Sequence, residues 1–508
     1  MSYVIVVNVM KKKLNRVLIV YIIIIVSFVL LISKLTYIKI IENDKYYENA
    51  IGLWTRSAPI RGERGNIYDR NGKLIVGNSL TPTIVAIPKQ IDNPGYVAKM
   101  ISEVLDVDRN LIYEHITKKV SVEIIKPEGQ KISIEKALKI SSYNLQGIYV
   151  VGDTTRYYPY QSILSQVLGI TGIDNQGITG IESIYEENLS GDFGALQIFT
   201  DAHGDEIPDL ANIYENAKSG NDVYLTIDLD LQLTLERVLK NAFTRYSPNE
   251  ISGIIIHPKT SEILAMASLP TYDPSNYQDY DPKLYNRNIP IWKCYEPGST
   301  FKICTYAAGL EENVFTTDEI YYDPGYAIVD GARLRDWKAG GHGKETFKEV
   351  LQNSCNPGFV TIGLRLGKER FFKYLNLFGF GEKTGVDLQG ESKGIIFNPD
   401  NIGDVELATS AFGQGNSVTM IQLINAACCA VNGGILNKPY ILKMIKDKDK
   451  IIMENTPTPI RRVISESTSK IVAESLEAVV SLGTGRPGYI EGYRVGGKTG
   501  TAVNNLAP

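Results

Sequence analysis

The apolar pattern is most one-sided near the start of the chain, where residues 17–33 carry no charge and the mostly apolar residues 35–41 extend the run. A helix of that length crosses a bilayer, so the run predicts a single transmembrane anchor over residues 17–41. Lys11, Lys12, Lys13 and Arg16 precede it. The positive-inside tendency therefore places residues 1–16 in the cytoplasm, the anchor in the cell membrane and the remainder outside the cell. A cleaved signal peptide competes with this reading, but the run is longer than a signal core and no small-x-small cleavage site follows Ser33.

From residue 46 to residue 218 the pattern alternates between short period-2 runs and helical ones, broken by turn residues, and predicts a separate, irregular α+β domain. Its clearest element is a hairpin around Asn71-Gly72, a dipeptide suited to a tight turn between extended segments. After Gly220 the pattern changes again. Residues 223–227 read as a strand, 229–243 as a helix, and 251–257 with 262–267 as an antiparallel pair joined by Pro258-Lys259-Thr260-Ser261. A second domain over residues 220–508 follows, and the whole is α+β and multidomain.

Composition narrows the function classes. In 508 residues, 44% hydrophobic and 22% charged, there is material for more than one folded core. A net charge of −4 gives no general electrostatic reason to bind nucleic acid. Five cysteines and four histidines show neither a disulfide framework nor the spacing of a metal site, so no metal and no cofactor are expected.

The candidate chemistry lies in the second domain. Ser299-Thr300-Phe301-Lys302 follows Pro297-Gly298 and opens a helical stretch over residues 303–312, which puts the Lys302 amine on the same face as the Ser299 hydroxyl. A serine is a weak nucleophile at neutral pH, and an amine kept neutral by burial can take its proton. Ser-x-x-Lys alone is a weak signal, and a capped helix with an exposed lysine is the ordinary explanation. Two further motifs change the weighting: Ser354-Cys355-Asn356, then Lys498-Thr499-Gly500-Thr501, in the order found in penicillin-interacting serine enzymes. Lys383-Thr384-Gly385 is a second Lys-Thr-Gly, but its glycine-rich, acidic surroundings read as loop. Residues 492–499 also fit a phosphate-loop pattern, which requires a helix directly after Lys498.

With these motifs the chain resembles the class B penicillin-binding proteins. Arg61-Gly62 with Asp69-Arg70-Asn71-Gly72, Arg156-Tyr157-Tyr158-Pro159, and Gly180-Ile181-Glu182 with Tyr185 look like the family's pedestal signatures. Pro258-Lys259-Thr260, Tyr295-Glu296-Pro297-Gly298 and Gly413-Gln414-Gly415 resemble landmarks of its transpeptidase domain. The resemblance implies a pedestal (dimerisation) domain over 46–218 and a β-lactamase-like transpeptidase domain, an antiparallel sheet flanked by helices, over 220–508. Family members usually continue past Lys-Thr-Gly-Thr-Ala, so the last strands of that domain are expected to be missing.

The same resemblance implies that Ser299 attacks the penultimate D-alanine carbonyl of a peptidoglycan stem peptide with Lys302 as base and Ser354 relaying protons. Asn356 would hold the substrate amide and Lys498 would supply positive charge. Thr499 and Thr501 would bind the terminal carboxylate beside Gly500. It also implies covalent binding of β-lactam antibiotics and a SEDS-type membrane glycan polymerase as partner. Residues 353–357 and the Gly-Glu-Lys-Thr-Gly-Val-Asp-Leu stretch look most like sporulation-type members. The rival readings are a β-lactamase or D,D-carboxypeptidase hydrolase, and a non-catalytic scaffold for the polymerase.

Overall fold

The computed structural model describes residues 2–43, 45–46, 55–199, 213–215 and 217–502. The first element is a helix, α1 (Ser2–Ile40), whose Val17–Ile40 segment is long and apolar enough to cross a membrane. The anchor expected from the uncharged run falls on that segment.

The chain divides into two compact units, and neither is contiguous in sequence. One comprises Met1–Arg61, Thr81–Asp153 and Phe193–Ala217, and the other Gly62–Leu80, Thr154–Asp192 and Lys218–Pro508.

In the first unit, helices over Pro94–Leu105, Arg109–Ile116 and Ile134–Ser142 bury their apolar faces in a core that includes Ile84, Val97, Ile101, Ile112 and Ile140. Each helix begins on a residue whose side chain accepts a backbone N–H: Asn93 from Tyr96, Asp108 from Asn110 and Ser133 from Lys136.

The second unit contains a sheet whose strands enter in the order β1 (Ile67–Tyr68), β2 (Leu74–Ala86, of which residues 74–80 belong to this unit) and β3 (Asp222–Leu225). The chain then forms α2 (Leu229–Tyr246) and the pair β4 (Ile251–Ile256) and β5 (Ile263–Leu269), which is antiparallel as expected. The hairpin expected at Asn71-Gly72 joins β1 to β2. The Asp69 carboxylate beneath its turn accepts the N–H groups of Asn71 and Lys73 at 2.8 Å each. A parallel register joins β1 to β3, and β3 continues antiparallel into β6 (Leu442–Asp447) and then the edge strand β7 (Lys450–Glu454). Around these strands lie α3 (Lys302–Glu311), α4 (Phe347–Asn353), α5 (Asn356–Leu377), α6 (Met420–Val431) and α7 (Glu466–Leu482). These five helices enclose the largest apolar cluster, centred on Phe301, Tyr306, Phe347, Phe359 and Phe380.

Charge pairing explains why residues 154–192 belong to this second unit. Glu182 is fully buried, and its two carboxylate oxygens take Arg64 Nε at 2.6 Å and Arg156 Nε at 2.8 Å. Arg64 also donates to the Asn175 and Glu182 carbonyls. Further along, the Tyr185 hydroxyl donates to Asp387, whose carboxylate accepts the backbone N–H groups of Ile441 and Leu442. Two guanidiniums sharing one buried carboxylate are costly to separate from it. Glu182→Ala is therefore expected to lower unfolding free energy by about 3–5 kcal/mol, the range for breaking a buried ion pair. Urea unfolding followed by circular dichroism measures this, and a loss below about 1 kcal/mol would mean the pair stabilises no more than an exposed one.

Candidate active site

Ser299 lies in a short turn of 3₁₀ helix, Gly298–Phe301, that runs directly into α3. The backbone before it is crowded. Gly298 has φ +55°, and a Cβ there would stand 2.4 Å from the Thr501 carbonyl oxygen. Its N–H donates to the Gly413 carbonyl at 3.0 Å, and Glu296 accepts the Gly415 N–H at 3.0 Å. Only glycine fits a left-handed position with a neighbouring chain this close. The two glycine-bearing landmarks, at 295–298 and 413–415, thus interlock beneath Ser299.

One turn into the helix, Lys302 is fully buried. Its amine donates to the Ser354 carbonyl at 2.8 Å, the Ser354 hydroxyl at 3.2 Å and Asn356 Oδ1 at 2.7 Å. The Phe359 ring lies 5.1 Å from the same nitrogen. Burial, reinforced by the Lys498 charge, pushes the Lys302 pKa down to about 7. None of its hydrogen bonds runs to Ser299, although the helical spacing puts both groups on one face.

Ser354-Cys355-Asn356 is the junction between α4 and α5. Ser354 closes α4 in the left-handed conformation, with φ +60°, while Cys355 caps α5 and accepts the Gly358 N–H through its sulfur. Pro357 in the first turn of α5 fixes where the second helix starts.

Lys498 reaches the same point from the far end of the chain. Its amine donates to the Ser354 hydroxyl at 2.9 Å, and burial pushes its pKa down to about 8. The stretch that carries it is irregular. Gly497 donates to the Leu476 carbonyl of α7, and a Cβ on Gly500 would meet Thr300 Cγ2 at 2.8 Å. Its neighbours are thus a helix and the 297–300 turn rather than a strand edge, so no ladder forms. Among the described residues the β4–β5 pair has no third strand.

Ser299, Ser354, Asn356, Thr499, Gly500 and Thr501 line one cleft of about 400 Å³ with Trp337, Phe412, Gln414 and Thr484. The decoy Lys383-Thr384-Gly385 lies in a loop wrapped around the Glu391 carboxylate, which accepts the Thr384 and Gly385 N–H groups. No helix follows Lys498 among the described residues, so the phosphate-loop pattern lacks the element it needs.

Sequence reasoning did not single out Trp337, nor a quartet of possible metal ligands that includes Cys355 of the junction. Asp323, His342, Glu345 and Cys355 place their ligand atoms within 4.8 Å of one another. His342 Nδ1 lies 3.0 Å from carboxylate oxygens of both Asp323 and Asp336, and Glu345 Oε1 is buried without a hydrogen-bond partner. Burial raises the pKa values of Asp336, Glu345 and Cys355, and neighbouring carboxylates add to each rise. Three carboxylates and a thiol around one imidazole are short of positive charge, and a mixed nitrogen, sulfur and oxygen donor set suits Zn²⁺. No metal-ligand spacing marks these residues along the chain, because a pair of short strands brings them together. Asp323 ends Ile320–Asp323, which pairs with Gly343–Thr346, the strand that carries Glu345.

Residues 251–505 match the Penicillin binding protein transpeptidase domain, and residues 59–225 match the Penicillin-binding Protein dimerisation domain. Stage V sporulation protein D of Bacillus subtilis is 49% identical over 94% of this chain and 74% of its own length. Peptidoglycan D,D-transpeptidase FtsI of Escherichia coli is 27% identical over 94% of this chain and 80% of its own. Among solved structures, a peptidoglycan synthetase from Bifidobacterium adolescentis shares the fold with a TM-score of 0.69 at 24% identity, covering 89% of this chain and 87% of that one. Penicillin Binding Protein 2X from Streptococcus thermophilus does so with a TM-score of 0.66 at 24% identity, covering 83% and 66%. The two domains in this order, and 49% identity across most of the chain to one relative, show that this protein belongs to the class B penicillin-binding proteins.

Proposed function

We propose that this protein is a membrane-anchored peptidoglycan D,D-transpeptidase that works through an acyl-enzyme on Ser299. The observation that carries the reading is the buried Lys302 amine, hydrogen-bonded to Ser354 and Asn356 behind a cleft that Ser299 lines. In this reading Ser299 Oγ attacks the carbonyl of the penultimate D-alanine and the peptide C–N bond breaks. The serine proton passes to Lys302 and through Ser354 to the departing amine. An amine from a second stem peptide then takes the acyl group and completes a cross-link. Asn356 holds the donor amide, while Thr499 and Thr501, with the Lys498 charge behind them, hold the terminal carboxylate. Gly500 lets that backbone approach the helix start.

A β-lactam enters the same cleft as a donor whose leaving amine stays tethered to the acyl group. With α1 in the cell membrane and its N-terminus cytoplasmic, the cleft works outside the cell beside a glycan polymerase of the SEDS type. The 49% identity to a relative named for sporulation supports a role at that stage. A hydrolase and an inert scaffold are the alternatives that the first experiment separates.

The quartet of Asp323, His342, Glu345 and Cys355 favours an addition to this reading: a Zn²⁺ ion that ties the Gly343–Thr346 strand to the Ser354–Asn356 junction. Four donors from separate parts of one fold would then share a single cation, which stabilises the folded state wherever the unfolded chain binds metal less well.

Three outcomes are expected. A labelled penicillin forms a slowly released adduct on Ser299, seen by intact mass and peptide mapping and lost in Ser299→Ala. Rapid release would mark a hydrolase, and no adduct on the unmodified protein would mark a scaffold.

The free amine of Lys302 must take the serine proton, so the acylation rate should rise as pH increases through about 7. Lys302→Arg keeps the charge but cannot give it up, and should slow acylation by about a hundredfold or more. Near-normal acylation of that variant would assign the base to another group.

Purified protein should contain about one zinc per chain by plasma mass spectrometry, with a lower thermal midpoint after chelation. Cys355→Ala should lose both the metal and the chelator effect. Metal-free, chelator-insensitive protein would leave the quartet a hydrogen-bonded cluster only.

A further inference from the structure

The segment that leads into Ser299 is joined to a second segment, residues 412–419, which also reaches the cleft: Phe412 and Gln414 line it together with Gly298 and Ser299. Among the described residues, most of the links between the two segments are backbone to backbone. Cys294–Tyr295 pairs antiparallel with Val418–Thr419, and Gly298 donates its N–H to the Gly413 carbonyl at 3.0 Å. The exception is Glu296, whose carboxylate accepts the Gly415 N–H at 3.0 Å. Gln414 therefore stands between two glycines, each bonded to the stretch of chain immediately before Ser299.

Those glycines make the loop hard to hold by other means. Gly413 has φ +94° and Gly415 φ +84°, and a Cβ would collide with the Gly298 carbonyl oxygen at the first and with the Phe397 ring at the second. Neither can be exchanged for a stiffer residue, so the freedom that glycine gives the backbone has to be removed by contacts. A hydrogen bond to a carboxylate is roughly twice as strong as a neutral one, and Glu296 supplies it from outside the residues that line the cleft. Acyl transfer needs that restraint, because a misplacement of about 1 Å between reacting groups can cost on the order of a hundredfold in rate. We propose that Glu296 is a positioning residue for the acyl transfer: by accepting the Gly415 N–H it holds the Gln414 segment in register with the turn that carries Ser299. The inference rests on the Ser299 reading above and adds the side chain that keeps these two parts of the cleft together.

The test is saturation kinetics with benzylpenicillin on the full chain in detergent, which separates the noncovalent dissociation constant from the first-order rate of acylation. Three variants divide reach from charge. Glu296→Ala removes the acceptor, Glu296→Asp keeps the charge on a side chain too short to reach Gly415, and Glu296→Gln keeps an acceptor at the original reach without the charge. Glu296→Ala and Glu296→Asp should slow first-order acylation by about tenfold to a hundredfold with little change in the dissociation constant. Glu296→Gln should acylate near the natural rate. If Glu296→Ala does not fold, the contrast between Glu296→Asp and Glu296→Gln decides. Natural rates in Glu296→Asp, a Glu296→Gln as slow as Glu296→Asp, or a loss confined to the dissociation constant would each overturn the proposal while leaving Ser299 as the nucleophile. If the natural protein forms no adduct, the Ser299 reading fails and this inference with it.

Discussion

The arrangement around the cleft depends on one constraint: a lysine amine taken wholly out of water. Burying an ammonium without partners costs several kcal/mol, so Lys302 is tolerable only where acceptors converge on it and its charge is easily given up. The convergence comes from the Ser354 carbonyl, the Ser354 hydroxyl and Asn356 Oδ1, all from the short junction between α4 and α5. A second cation, Lys498, shares the Ser354 hydroxyl and adds to the pressure that keeps Lys302 close to neutral. The physics that makes the lysine expensive to bury is the physics that makes its free amine available near neutral pH.

That junction has two faces, and Cys355 accounts for the second. Ser354 takes a left-handed conformation to end α4, and Asn356 starts α5 immediately after it. Their polar atoms meet Lys302, while the fully buried Cys355 between them joins the carboxylates of Asp323 and Glu345. The middle residue of the motif thus joins an acidic cluster while its two neighbours hold the lysine. Asp336 reinforces the link by accepting the Asn356 N–H.

What could be read from the chain divides by the range of the signal. The apolar run became α1, the Asn71-Gly72 turn became a hairpin, and residues 251–267 became an antiparallel pair, because each is written in neighbouring residues whose period or turn chemistry is local. The three motifs also lie together around one cleft, and the loop-like surroundings of Lys383 were enough to set it aside in favour of Lys498. The interleaving of the two compact units was not legible, since it depends on Glu182 finding both Arg64 and Arg156 across long stretches of sequence. Trp337 and the donor quartet were not legible either. Each is a lone residue with no periodic neighbour, made significant only by what the fold brings beside it.

The irregular backbone at Lys498 shows the same limit from the other side. Val495 to Thr501 contains glycine at 496, 497 and 500, and glycine has no strand preference of its own. Whether such a segment is a strand is decided by the edge next to it. Here its close neighbours are α7 and the turn that carries Ser299, and both require small residues for their approach. The glycines therefore serve proximity rather than extension. Gly500 in particular brings the backbone within van der Waals distance of Thr300, one residue from the serine, at a spacing no larger side chain would allow.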